Sequence, residues 1–193
     1  MKRVRNIGLL LLLLMLSPGI FSGQVDESFS NLLKEAGLIL DVPEQYHVQA
    51  IQQTGFFPYE YALRHKGDTL EIRYSVRPIS RMQINYEDPH SSAPEPNHIF
   101  TMMFTALIGQ FSSGGNSPHR EYTLDEARQK FNADWAALST FDIEPAYTAD
   151  YKHAFLLALH KNNLSDAYLI ILFDDYAQVK PHLDVALQSL RFK

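Results

Sequence analysis

The chain of 193 residues contains no cysteine. That excludes disulfides, a bacterial lipoprotein cysteine and cysteine catalysis, so an exported domain built from it must be stable through its core alone. Basic residues are also few. There are 17 Lys and Arg against 22 Asp and Glu, for a formal net charge of −5. A mildly acidic chain disfavours nucleic acid as a partner, because phosphate binding needs clustered Lys and Arg. The common catalytic signatures are missing as well. There is no G-x-S-x-G, no Ser-x-x-Lys with its companion motifs and no G-x-x-x-x-G-K-[ST] phosphate loop.

What is present begins with "MKRVRNIGLLLLLLMLSPGIFSG". Lys2, Arg3 and Arg5 precede an apolar stretch, Ile7 to Leu16, which is followed by Ser17, Pro18 and Gly19. Charge, apolar segment and small residues in that order are the pattern of a secretory signal. Ten apolar residues are too few to span a bilayer, which takes roughly 20. Residues 1–23 are therefore expected to be a signal peptide, with an uncleaved anchor as the alternative and Gly19 or Gly23 marking the cut. Cleavage removes three positive charges and moves the net charge from −5 to about −8. Residues 24–193 fit one domain. No later apolar run is long enough to cross a membrane.

The rest alternates between helical and extended patterns. Phe29, Leu32, Leu33 and Ala36 mark one face of a helix, with Asp26 and Glu27 at its start and Gly37 as its stop. Leu38 to Val42 reads as a strand ended by Pro43, and Tyr46 to Gln52 as a second one. Tyr59, Tyr61 and Leu63, then Leu70, Ile72, Tyr74 and Val76, alternate with polar residues around a Lys66-Gly67-Asp68 turn. This predicts an antiparallel hairpin whose Glu71/Arg73 face is solvated and carries cross-strand charge pairs. Met82, Ile84 and Tyr86 extend the alternation. "EDPHSSAPEPNH" is a loop, and "IFTMMFTALIGQF" reads as a buried helix in which Met102 and Met103 fill core gaps. "SSGGNSPHREY" is a turn or lid. Thr123 and Glu126 form a capping box for a helix from Leu124 to Asn132. "WAALSTFDIEP" returns to strand. Tyr151–His160 and Ala167–Phe173 form a hairpin apolar on both faces, hence covered on both faces. Val179, Leu183, Ala186, Leu187 and Leu190 give a closing helix with Pro181 near its start. Helices and an antiparallel sheet in this order predict one α+β domain, an antiparallel sheet flanked by helices.

The side chains that carry chemistry do not converge on a motif. His153 and His160 are seven apart on a strand and face opposite ways. Asp174 and Asp175 mark the end of a buried run. Asp88, His90, Glu95 and His98 have metal-compatible side chains in a loop, but their spacing matches no zinc pattern such as H-E-x-x-H. Ser112, Ser113 and His119 are near in sequence, which does not make a triad. Trp135 reads as a core anchor with its N–H bonded. Asn163-Leu164-Ser165 is a sequon at a hairpin tip with no assigned role. The imidazoles and acids of the last hairpin are read as framing for an interior slab. No residue is assigned as catalytic, cofactor-binding or metal-ligating, and no cofactor is expected.

"LILDVPEQY", the hairpin "YEYALRHKGDTLEIRYSV", the hairpin "HAFLLALHKNNLSDAYLIILF" and the closing "VALQSLRF" together resemble, in pattern and order, the Mog1/PsbP-like family of α/β/α sandwiches. The resemblance spans most of residues 38–192. It implies a seven-stranded type of antiparallel sheet between helices. It also implies a non-catalytic accessory or binding role, with no shared catalytic residues to carry over. The expected function is an exported, periplasmic or extracellular binding protein of the cell envelope, with a protein or small ligand as partner. The alternative is a secreted metal-dependent or hydrolytic enzyme using the "EDPHSSAPEPNH" loop or the Asp174-Asp175 end. A third possibility is an assembly subunit that uses the charged hairpin face.

Overall fold

The computed structural model describes residues 25–52, 57–67, 70–115 and 117–193. The expected signal segment and two residues of the first hairpin turn region, Asp68 and Thr69, lie outside the described residues. A seven-stranded antiparallel sheet is flanked by helices, and a separate two-stranded sheet joins the two ends of the domain. The fold is α+β.

Helix α1 (Glu27–Glu35) starts where Asp26 accepts a hydrogen bond from the Phe29 amide, and it buries Phe29, Leu32 and Leu33. Gly37 follows at φ +69, and a Cβ there would lie 3.1 Å from Leu164. The positive φ favours glycine at this stop, and a Cβ would also press on the Leu164 side chain. Strand β1 (Leu38–Leu40) pairs with the last strand, β9 (Leu190–Phe192). Leu190 therefore belongs to a strand and not to the closing helix. Strand β2 (Tyr46–Val48) is shorter than its pattern and sits at the sheet edge. The two hairpins form as expected. β3 (Tyr61–His65) pairs with β4 (Leu70–Pro78), and β7 (His153–Lys161) pairs with β8 (Ser165–Phe173). β4 joins β8, β7 joins β6 (Trp135–Asp142), and β6 joins a short β5 (His119–Glu121) at the other edge. "HRE" is thus an edge strand and not a lid.

Residues 79–87 are a helix, α2 (Ile79–Glu87), so the alternation of Met82, Ile84 and Tyr86 does not continue the strand. Pro78 closes β4, and three alternating residues are too short a run to separate the two periods. Helix α3 (Phe100–Phe111) buries only Phe104, Leu107, Ile108 and Phe111, while Met102 is 58% exposed. It lies across the sheet with one flank open and is not buried all round. Helix α4 (Leu124–Phe131) has the full Thr123–Glu126 capping box. The Thr123 amide, with Arg120 adding to it, holds the Glu126 carboxyl below its ordinary value against the opposing effect of burial. Replacing Thr123 by alanine is expected to cost about 1 kcal/mol, read as a lower denaturant midpoint at unchanged slope. Helix α5 (Tyr176–Leu187) begins with Asp175 capping the Ala177 amide, and Pro181 sits in its second turn.

Each sheet face carries its own core. On the first face Leu63, Ile72, Leu157 and Ile171 pack under α1, α4 and α5. On the second face Leu156, Ile170 and Leu172 pack under α3 and the loop that carries Tyr147 and Tyr151. The β7–β8 hairpin is central and covered on both sides, which is why its residues are apolar without alternation.

Candidate functional site

Three polar constellations interrupt these cores. The first occupies the expected solvated face of β4, which is in fact buried. Glu71 and Arg73 are only 5% and 1% exposed. The pair runs along one strand, Arg73 Nε to Glu71 Oε1 at 2.6 Å, and does not cross strands. Arg73 lies 5.1 Å from the ring centroids of both Tyr59 and Tyr147. Glu71 also accepts from the Tyr151 hydroxyl at 3.4 Å, and burial pushes the Tyr151 phenol up to about 12. The alternation was read correctly. It could not report that loops distant in sequence cover its polar side.

The second constellation is His160 with Asp166, 1% and 2% exposed on facing positions of β7 and β8. His160 Nδ1 and Asp166 Oδ1 are 2.6 Å apart, and Nε2 meets the Asn162 side chain at 3.1 Å. Phe100 stacks on the imidazole at 4.0 Å. Asn97 binds Asn163 at the hairpin tip, tying the preceding loop to the same place. Both side chains are buried, and the geometry is that of a packed polar contact inside the slab.

The third constellation is open. Strand register sets Asp142, His153 and Phe173 in one row across β6, β7 and β8, with Thr140 and Phe155 in the next. All point to the first face. Phe131 of α4 packs with Ala136 at the start of β6, and α5 begins only at Tyr176, so the end of β6 stays uncovered. The result is a cleft of about 500 Å³ lined by Thr140, Asp142, His153, Phe155, Phe173 and Tyr176. Phe155 and Phe173 stack at 5.2 Å, His153 lies 5.5 Å from Phe173, and Tyr176 lies 6.2 Å from Phe155. His153 Nδ1 meets Asp142 Oδ1 at 2.7 Å, with Asp142 largely exposed. A smaller hollow of about 310 Å³ beside Arg120 and Leu138 shares Thr140 and Phe155 with it.

The two histidines do face opposite ways, one into each layer. His160 frames the interior, whereas His153 stands on the wall of the cleft. Asp175 caps α5, and Asp174 is exposed beside it. Asp88, His90, Glu95 and His98 do not converge. Asp88 accepts from the His90 amide, and His98 lies 3.1 Å from Glu95. Among the described residues no group of three or more His, Asp or Glu is placed to hold a metal ion. The Ser112 hydroxyl is bonded to Ser117, and His119 packs edge-on against Phe104, so they form no dyad. Trp135 packs against Phe100 and Phe104, but its buried indole N–H has no hydrogen-bond partner among the described residues. Thr140, Asp142, Phe155 and Tyr176 were not singled out by the sequence. The Asp142–His153 contact spans eleven residues and depends on strand register alone.

A scan against protein-family models finds no match, and a search of curated proteins finds no relative.

Proposed function

We propose that the protein is an exported, non-catalytic binding protein of the cell envelope, a Mog1/PsbP-like sandwich that holds a small ligand in the cleft between β6, β7, β8 and the start of α5. The observation that carries the reading is the cleft itself. It is lined by the stacked and largely buried Phe155 and Phe173 rings, the exposed Tyr176 and the His153–Asp142 hydrogen bond, on a sheet face that is covered elsewhere. Binding sites of this kind are mostly apolar hollows with a few polar groups that fix orientation. Lys2, Arg3 and Arg5 ahead of the apolar stretch Ile7 to Leu16 support export, and with it a periplasmic or extracellular location, as part of this proposal.

Thr140 is exposed on the cleft floor, so a tryptophan there fills the space without disturbing the core. In a thermal-shift screen of small molecules, true ligands should raise the Tm of the wild type and lose that effect in Thr140→Trp, because a ligand stabilises only the state that binds it. Compounds that stabilise both proteins equally would count against the cleft.

The enzymatic alternative has one specific foothold, the Asp142–His153 dyad, in which the carboxylate orients the imidazole as a base requires. Hydrolysis of a simple ester that disappears in His153→Ala would favour it.

A further inference from the structure

We infer that two copies of this chain join antiparallel along the free edge of β2, about a twofold axis at Val48. The β2–β3 register pairs Tyr46 with His65 and Val48 with Leu63. The Gln49 amide donates to the Ala62 carbonyl, and the Lys66 amide donates to the Gln45 carbonyl. Bonded and non-bonded positions alternate in an antiparallel ladder. Gln45, His47 and Gln49 therefore turn their backbone polar groups toward β3, whereas Tyr46, Val48 and Ala50 turn theirs away from the sheet. Among the described residues no strand pairs with that outer side. The Tyr46 amide is engaged locally by the Pro43 carbonyl. The outward groups left are the amides of Val48 and Ala50 and the carbonyls of Tyr46, Val48 and Ala50.

This set is self-complementary. With Val48 opposite Val48 of the second copy, each Val48 amide meets the other Val48 carbonyl. Each Ala50 amide then meets the Tyr46 carbonyl across the axis. Every outward amide finds a carbonyl, and the engaged Tyr46 amide is not needed. The exposed Val48 side chain covers its own counterpart. Such an isologous contact closes as a dimer.

The side chains favour this edge and disfavour the other. Residues 46–52 contain no Lys, Arg, Asp, Glu or Pro, the groups that guard an edge strand against pairing. Two acidic molecules, each of net charge −5, can approach along this uncharged strip. In the Val48 register Glu44 stands opposite Gln52, so no like charges oppose one another. At the β5 edge, Pro118 precedes His119, Arg120 and Glu121. A twofold axis at any of those three residues sets a His, Arg or Glu against itself, and like charges directly opposite are destabilising. Since β3 and β4 lie between β2 and β8, the cleft of each copy stays open in the dimer.

The test combines light scattering with amide hydrogen exchange on the purified protein, from about 10 µM to about 1 mM, where weak contacts of small area form. The mass should rise toward that of a dimer with concentration. Exchange at the Val48 and Ala50 amides should slow by at least about tenfold over that range, with His47 and Gln49 unchanged. Val48→Lys, with the Tm of the wild type, should remain a monomer throughout, and Met102→Lys on the exposed flank of α3 should dimerise as the wild type does. A wild type that stays monomeric overturns the inference, even if a foreign peptide protects the same amides. A dimer that survives Val48→Lys, or that Met102→Lys also dissolves, overturns it too. If Val48→Lys fails to fold, the exchange measurement decides alone: Val48 and Ala50 amides that exchange equally fast at both concentrations contradict the pairing.

Discussion

Arg73→Met is expected to destabilise the protein by about 3–5 kcal/mol, because it leaves the Glu71 carboxylate buried without its partner. Glu71→Leu alone should cost a similar amount for the converse reason. The two changes together should be far less damaging than their sum, within about 1–2 kcal/mol of the wild type, because a buried ion pair replaced by apolar side chains of similar size is often close to neutral. The Arg73 contacts with the Tyr59 and Tyr147 rings, and the Tyr151 hydroxyl on Glu71, are lost in the double variant and set the residual cost. Denaturant unfolding of the four proteins closes the cycle, with a coupling energy of several kcal/mol as the expected result. Additive losses would mean that the pair is hydrated and not buried.

The second large effect is at Asp166. Asp166→Ala should cost about 2–3 kcal/mol at pH 7, because it leaves the buried His160 Nδ1 without its hydrogen-bond partner. The pH dependence has a definite sign. Burial raises the Asp166 carboxyl above its ordinary value, against an opposing hydrogen bond from His160. A carboxyl whose pKa rises on folding contributes stability that is complete below its unfolded value, about 3.9, and that is lost as the pH climbs through the folded value. The stability difference between wild type and Asp166→Asn should therefore move against the wild type as the pH is raised from about 3.5. Glu35 and Glu126 are lowered by their partners and act in the opposite direction, losing stability as the pH falls, but they are common to both proteins and cancel in the difference. A difference that is flat with pH would contradict the buried, raised carboxyl.

Local patterns were legible in the sequence where the physics is local. The acidic start at Asp26, the Gly37 stop and the Thr123 box each depend on residues within a few positions, and all three stand as read, Asp26 serving in addition as the cap. The unbroken apolar run of Tyr168 to Phe173 revealed a strand covered on both faces, because two helical layers leave no polar side to show. Elements closed by distant chain were not legible. Nothing near Leu190 announces that β9 will pair with β1 some 150 residues earlier. The burial of Glu71 and Arg73 depends on Tyr147 and Tyr151, far along the chain. The cleft is the clearest case. It arises where α5 happens to start and where register sets Asp142 beside His153, and neither is written in any short stretch.

The most direct measurement is a crystallographic fragment screen on the protein. The expected result is fragment density against the rings of Phe155, Phe173 and Tyr176, with polar groups toward Asp142. Fragments gathering instead around the 88–98 loop or at Ser112 and His119, with the cleft empty, would contradict the proposed site.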